Sequence, residues 1–263
     1  DGIQEGAIMS AKTVLLTGAG SGIGRGLMCG LAEFGFRVIG TDKNADQACE
    51  SAELVREKGG EADSFALDVT DETDLSRLPE KFADSSLDVL INNAGLQYVS
   101  PLEDFPDEIW DLLIRVMLIG SARMTKLALP IMRRSGFGRI INIGSVHSLV
   151  ASPFKTAYVA AKHGLLGLSK TIALETADCD ITMNTICPAY VKTPLVEKQI
   201  ANQAKSHGIS EDEVINEIML KPMPKGAFIS IEELTGIAKF LISDAARNIT
   251  GQEITVDGGW TIR

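Results

Sequence analysis

The sequence predicts a single α/β domain: one doubly wound, parallel sheet of about seven strands with helices on both faces. Three observations predict it. Short β-branched apolar runs alternate with longer stretches of helical periodicity along the chain, the rhythm of right-handed βαβ units. A glycine-rich turn, GAGSGIG, joins the first run to the first helical stretch. No linker, repeat or low-complexity segment divides the 263 residues, a length that suits one large domain.

The elements follow in order. Thr13–Thr17 (TVLLT) reads as a buried strand, and LMCGLAEF beyond the glycines has helical spacing. Phe36–Thr41 is the second strand, ending at Asp42. Ala45–Lys58 is an amphipathic helix closed by Gly59-Gly60. Ala62–Leu67 is the third strand, and Thr70–Phe82 a helix with Thr70 or Asp71 as its cap. Leu87–Ile91 is the fourth strand, ending in Asn92-Asn93-Ala94-Gly95.

A long helical pattern runs from Asp107 to Arg134, with Leu129-Pro130 expected to mark a kink or its last turn. Arg139–Ile143 is the fifth strand, Thr156–Ala177 a helix and Ile181–Cys187 the sixth strand. The polar stretch Pro194–Lys221, broken by Gly208, reads as a helical lid over a site. Ile231–Ser243 is the last helix, and Glu253–Val256 the last strand. Residues 1–10 are expected to be a leader or disordered N-terminus, with Met9 as the native start, and 11–263 the single domain.

Composition narrows the function classes. Asp plus Glu is 35 against 25 Lys plus Arg, a net charge of −10, which argues against nucleic acid or an anionic membrane as partner. No apolar run approaches the ~20 residues that span a bilayer, and residues 1–8 lack the basic start of a signal peptide. Cys29, Cys49, Cys179 and Cys187 show no CxxC spacing, so free thiols in a reducing cytoplasm are expected. The three histidines have no metal-ligand spacing, so no metal site is expected.

Gly18, Gly22 and Gly24 stand between a strand and a helix, where glycine lets backbone amides approach a pyrophosphate at the helix N-terminus. A purely structural turn is the competing reading, since the spacing is not strict GxGxxG. Asp42, at the end of the second strand, favours the cofactor. A carboxylate there accepts from the ribose diol and repels a 2′-phosphate, so NAD is expected over NADP. Ser21 offers no positive charge for such a phosphate, while Lys43 and Arg25 are the opposing features. Asp68-Val69 reads equally as an adenine-side contact and as a strand-end cap.

Ile140–Lys162 carries the chemistry. Ser145 ends a strand, and Tyr158 and Lys162 share a helix face at i,i+4 spacing. Oxidising a secondary alcohol needs a proton acceptor and a hydride acceptor. A phenol near pKa ~10 is a poor base at neutral pH, and a neighbouring ammonium favours its ionised form. Lys162 can supply that charge, and Ser145 can hold the reacting oxygen.

TGAGSGIG, the NNAG at 92–95, Ser145 with YVAAK at 158–162, and Pro188 through Thr193 together resemble the short-chain dehydrogenase/reductases, over Thr13 to Trp260. The resemblance implies a Rossmann-type fold, Ser145, Tyr158 and Lys162 as catalytic residues, and a homotetramer built through the two long helices and the C-terminal strand. It also implies cofactor contacts from Thr17, Gly18, Ser21, Gly22, Ile23, Gly24, Asp42, Asp68, Val69, Asn93, Ala94, Gly95, Tyr158, Lys162, Pro188, Val191 and Thr193. Within the family, NNAGLQYVSP, SVHSLVASPFKTAYVAAKHG and TPLVEKQI look like the members that oxidise D-3-hydroxybutyrate to acetoacetate with NAD.

That narrower likeness implies substrate contacts from Gln97, His147, Lys155 and Gln199 beside Ser145 and Tyr158. Chemistry agrees, because a small anion in an acidic protein needs concentrated donors. Tyr190 stands where this group often has tryptophan, and Ala189 where it has glycine. Tyr190 and Trp260 are expected to wall the pocket, with interface packing the other reading of Trp260. Met117 falls where the family commonly has an asparagine that holds a water for a proton relay. The other functions weighed are a dehydrogenase or reductase of 3-oxoacyl thioesters, sugars or polyols, and a non-catalytic NAD-sensing protein.

Overall fold

A computed structural model describes residues 11–262; the leader expected over 1–10 lies outside them. Seven strands form one sheet in the order β3-β2-β1-β4-β5-β6-β7, every neighbouring pair parallel. They are β1 Thr13–Thr17, β2 Arg37–Asp42, β3 Ala62–Ala66, β4 Val89–Asn92, β5 Phe137–Ile143, β6 Asp180–Pro188 and β7 Glu253–Val256. The helices are α1 Gly22–Glu33, α2 Ala45–Glu57, α3 Glu72–Ser76, α4 Leu78–Lys81, α5 Asp107–Ile114, α6 Ser121–Ser135, α7 Thr156–Glu175, α8 Pro194–His207, α9 Glu211–Glu213 and α10 Ile231–Ile242.

Both faces of the sheet centre are covered, which is why β1 and β4 read as apolar runs buried along their whole length. Val14 and Leu16 enter one core with Leu27 and Leu31 of α1 and Leu234 and Leu241 of α10. Leu15, between them, enters the opposite core with Met124, Ala128 and Ile131 of α6. Strand order reverses between β1 and β4. Their carboxyl ends therefore part to leave the crevice in which such sheets bind ligands.

Three expectations needed correction. The pattern over 107–134 is not one regular helix: α5 passes through a π-helical turn, Arg115–Gly120, before α6. Of the two readings of Leu129-Pro130, the last turn is set aside: Pro130 lies inside α6, which stops only at Gly136, at φ 73°. The helix expected over Thr70–Phe82 breaks into α3 and α4 around Arg77, with Asp71 as the cap that accepts from Thr73 N and Asp74 N. Gly208 ends α8 at φ 66°, as its place in the polar stretch suggested.

Candidate active site

The glycine turn is shaped by contact. Gly18 and Gly22 take φ 65° and 54°, conformations that side chains resist. A Cβ on Gly24 would stand 2.0 Å from the Gly18 carbonyl oxygen and 2.6 Å from Asn93 Nδ2. Asn93 Nδ2 in turn donates to the carbonyls of Thr17 and Gly18, each at 3.0 Å. Thr17 Oγ1 accepts from the amides of Asn93 and Ala94. Thr17 and Gly24 thus brace the turn against the end of β4 rather than line the crevice.

Ser21 caps α1 without a side-chain hydrogen bond, so it leaves the first amides of the helix available to an anion. The crevice beyond is lined by Gly18, Ser21, Gly22, Ile23, Asp42, Asn93, Gly95, Met117, Tyr158, Lys162 and Thr193 among others. A cradle that admits no Cβ at Gly24, an uncapped helix start and a carboxylate at the end of β2 together fit a dinucleotide. Asp42 is held there by accepting from Gly20 N and Asn44 N.

Arg25 is tied down beside the glycine turn. Its guanidinium donates to the Gly20 carbonyl at 2.6 Å, to Ser51 Oγ and to Glu50. Lys43 does line the adjoining cavity with Asp42, Leu67, Asp68, Val69 and Ala94. Asp68 does cap its strand end, since Oδ1 accepts from Thr70 N and Thr70 Oγ1, and it faces that cavity as well.

At the end of β5, Ser145 opens a short turn and its Oγ accepts from His147 N at 3.2 Å. Tyr158, one turn into α7, hydrogen-bonds Ser145. Burial raises the Tyr158 phenol above its usual range, and the Ser145 bond is the influence that lowers it. Lys162 is buried and donates to the Ile143 carbonyl at 2.6 Å, with Nζ 5.6 Å from the Tyr158 ring centre. Burial depresses Lys162 to about 8. Serine, tyrosine and lysine do converge at the end of β5 and the start of α7.

A second cavity, about 130 Å³, opens on Ser145 and Tyr158. It is lined by Gln97, Ser145, His147, Lys155, Tyr158, Pro188, Tyr190, Val191, Gln199 and Trp260 among others. Lys155 Nζ lies 3.4 Å from His147 Nε2, and His147 Nδ1 faces the Val150 carbonyl at 3.4 Å. An ammonium can only donate, so Nε2 is the acceptor and Nδ1 carries the proton. Burial, then the Lys155 charge, lowers His147 to about 4, and burial lowers Lys155 as well. Gln199 Nε2 of α8 donates to Gln97 Oε1, joining the expected lid to the loop after β4. Trp260 belongs to the chain's own cavity, edge-on to His147 at 5.7 Å and tilted over Tyr190 at 5.8 Å.

Two features escaped the sequence. Phe154, immediately before Lys155, takes φ 66°, and its carbonyl accepts from Ser100 N at 2.9 Å. A bulky side chain in left-handed backbone stores strain of about 1–3 kcal/mol, and nothing about a phenylalanine signals it. Met117 sits in the π-helical turn, buried, and its carbonyl accepts from Ser121 Oγ at 2.7 Å. Its thioether packs 3.6 Å from the Cβ position of Gly95, so its side chain offers only a weak acceptor to a water. Among the described residues no His, Cys, Asp and Glu cluster could hold a metal, and no helix is long and apolar enough to cross a membrane.

A doubly wound sheet with a dinucleotide cradle and a serine–tyrosine–lysine cluster defines a nicotinamide-dependent class of protein. A family profile described as Enoyl-(Acyl carrier protein) reductase matches residues 18–261. The chain is 45% identical over 254 residues to the D-beta-hydroxybutyrate dehydrogenase of Rhizobium meliloti, covering 95% of this chain and 98% of that one. It is 41% identical over 257 residues to the enzyme of the same name from Cupriavidus necator, covering 96% and 99%. A tryptophan variant of actinorhodin polyketide ketoreductase, solved with NADPH, superimposes with a TM-score of 0.90 at 30% identity, covering 95% and 97%. The chain belongs to the short-chain dehydrogenase/reductase family, and it is an oxidoreductase.

Proposed function

We propose that the protein oxidises D-3-hydroxybutyrate to acetoacetate, reversibly, with NAD as hydride acceptor. The observation that carries the reading is the meeting of Lys155, Gln97 and Gln199 with Ser145 and Tyr158 in one small cavity. A carboxylate at Lys155 leaves the carbinol two bonds further on facing the hydroxyls of Ser145 and Tyr158. Lys155 supplies charge and Gln97 Nε2 a directional donor. His147 steers the ammonium by accepting from it. Ser145 holds the substrate oxygen while Tyr158 takes its proton. Bound NAD supplies the hydride acceptor.

Asp42 supports NAD over NADP, because a 2′-phosphate beside its carboxylate meets like charge. Arg25, committed to Gly20, Ser51 and Glu50, offers no counter-charge. A homotetramer in the cytoplasm completes the reading, with exposed Leu112 on α5, Ile119 in the π-helical turn and Leu174 on α7 as apolar surface for neighbouring copies.

The deciding experiment follows NADH formation with D- and L-3-hydroxybutyrate, 3-hydroxyvalerate, a polyol and a 3-hydroxyacyl thioester. The reading expects D-3-hydroxybutyrate and 3-hydroxyvalerate to react and the others to be poor. No rate with D-3-hydroxybutyrate removes it.

A further inference from the structure

Tyr190 is a polar residue in the wall of the substrate cavity. It lines the cavity that holds Ser145 and Tyr158. Its backbone is fixed, because its carbonyl accepts from Ile229 N at 2.9 Å and Val191 bridges to Ile229. Its ring is fixed too, tilted 31° on Trp260. Yet the Tyr190 hydroxyl has no hydrogen-bond partner among the described residues. Its polar neighbours are all engaged: Ser145 with His147 N, His147 with Lys155, Gln199 with Gln97, and Thr193 with Val196 N. The surroundings are dry enough that burial raises the Tyr190 phenol. That phenol also stands close enough to Tyr158 to raise it further.

A phenol held in such a wall must pair with water or with ligand. With the carboxylate at Lys155 and the carbinol at Ser145 and Tyr158, the substituent beyond the carbinol is what remains to face Tyr190 and Trp260. A methyl there would displace water and leave the hydroxyl unpaired. We propose that Tyr190 is a specificity-determining residue that selects a short 3-hydroxy acid bearing a second hydroxyl on the carbon beyond the carbinol. The inference rests on the hydroxy-acid reading above and sharpens its substrate class. A site that hydrogen-bonds a substrate hydroxyl discriminates strongly against the analogue lacking it.

The test compares 3,4-dihydroxybutyrate with 3-hydroxyvalerate, which differ by a hydroxyl in place of a methyl of similar size. In the unaltered protein kcat/KM should favour the dihydroxy acid by about tenfold or more. In Tyr190→Phe that ratio should fall to about one or invert, and in Tyr190→Trp it should invert. D-3-hydroxybutyrate serves as the reference substrate. If it reacts and the ratio is the same in the unaltered protein and Tyr190→Phe, this inference is overturned while the function stands. If none of the three acids reacts, the function falls and the inference with it. Should Tyr190→Phe not fold, a ratio near one in the unaltered protein is by itself sufficient to overturn it.

Discussion

Lys155 Nζ and His147 Nε2 face each other at 3.4 Å, an ammonium donor set against an imidazole lone pair. The pair is a charge with its steering group, not two independent donors. Because Nδ1 is directed at the Val150 carbonyl, the imidazole has little freedom to turn. Burial comes first and the Lys155 charge second in keeping His147 neutral, with His163 adding a little. Lys155→Met should therefore raise the His147 pKa from about 4 while leaving it below 6.5, since burial persists. Imidazole proton shifts across a pH titration would report it. The same variant should raise KM for a carboxylate substrate by about tenfold to hundredfold, the worth of a charged hydrogen bond.

The depressed His147 also makes acid destabilising. The unfolded imidazole binds its proton near 6.5 and the folded one only at about 4. Between those values the unfolded state holds more protons, so stability is complete above pH 6.5 and is lost as pH falls toward 4. The loss is at most about 3 kcal/mol. Urea unfolding at pH 7 and pH 4.5, compared between the unaltered protein and His147→Gln, isolates it from the carboxylates. An equal loss in both proteins contradicts it.

Tyr158→Phe should lower kcat by about a hundredfold to ten-thousandfold, the usual worth of a positioned acid or base. Cofactor binding should persist, because the glycine turn, Asp42 and Lys162 are untouched. Initial rates and a fluorescence titration with NADH separate the two effects. Retained turnover would remove Tyr158 as the base, and lost cofactor binding would show a structural lesion.

The sheet was legible because its central strands carry apolar runs and because Gly18, Asp42, Asn92 and Gly144 mark strand ends. Ser145, Tyr158 and Lys162 could be read for a related reason: one helix and one strand end hold all three, and local spacing brings them together. The limits lie where position depends on distant contacts. Nothing local to Arg115–Gly120 signals that its helix widens there, nor that Phe154 is held in left-handed backbone. The acceptor role of His147 depends on Lys155 and Val150. The braces from Asn93 to Thr17 and Gly18 join the ends of neighbouring strands far apart in sequence, so Thr17 read as a ligand contact although its hydroxyl accepts from Asn93 N and Ala94 N.

Asp42→Ala should weaken discrimination against the 2′-phosphate. The carboxylate stands at the end of β2 with Gly20 N and Asn44 N as its fixed donors. Removing it deletes both the diol acceptor and the repulsion, while Lys43 remains on the adenosine side. The ratio of kcat/KM for NAD over NADP should drop by about tenfold or more, since like-charge contact is worth over a kcal/mol. An unchanged ratio would assign the preference to another residue.

The lid prediction turns on one bond. Gln199 reaches from α8 to Gln97, while Thr193 caps the helix start by accepting from Val196 N. One end of α8 is thus anchored at the cofactor crevice, and its middle is latched over the substrate cavity. Val196 and Ile200 pack against Val214 and Met219 beneath it, a small cluster beside the two main cores. A segment held by few buried contacts opens readily, so ligand that joins Gln97, Gln199 and Lys155 should slow its opening. Amide hydrogen exchange over Pro194–His207 should fall when NAD and 3-hydroxybutyrate are both present. In Gln97→Ala the unliganded segment should exchange faster and the ligands should protect it less. Exchange that ignores both ligands and the variant would make α8 a fixed wall, and substrate entry would then need another route.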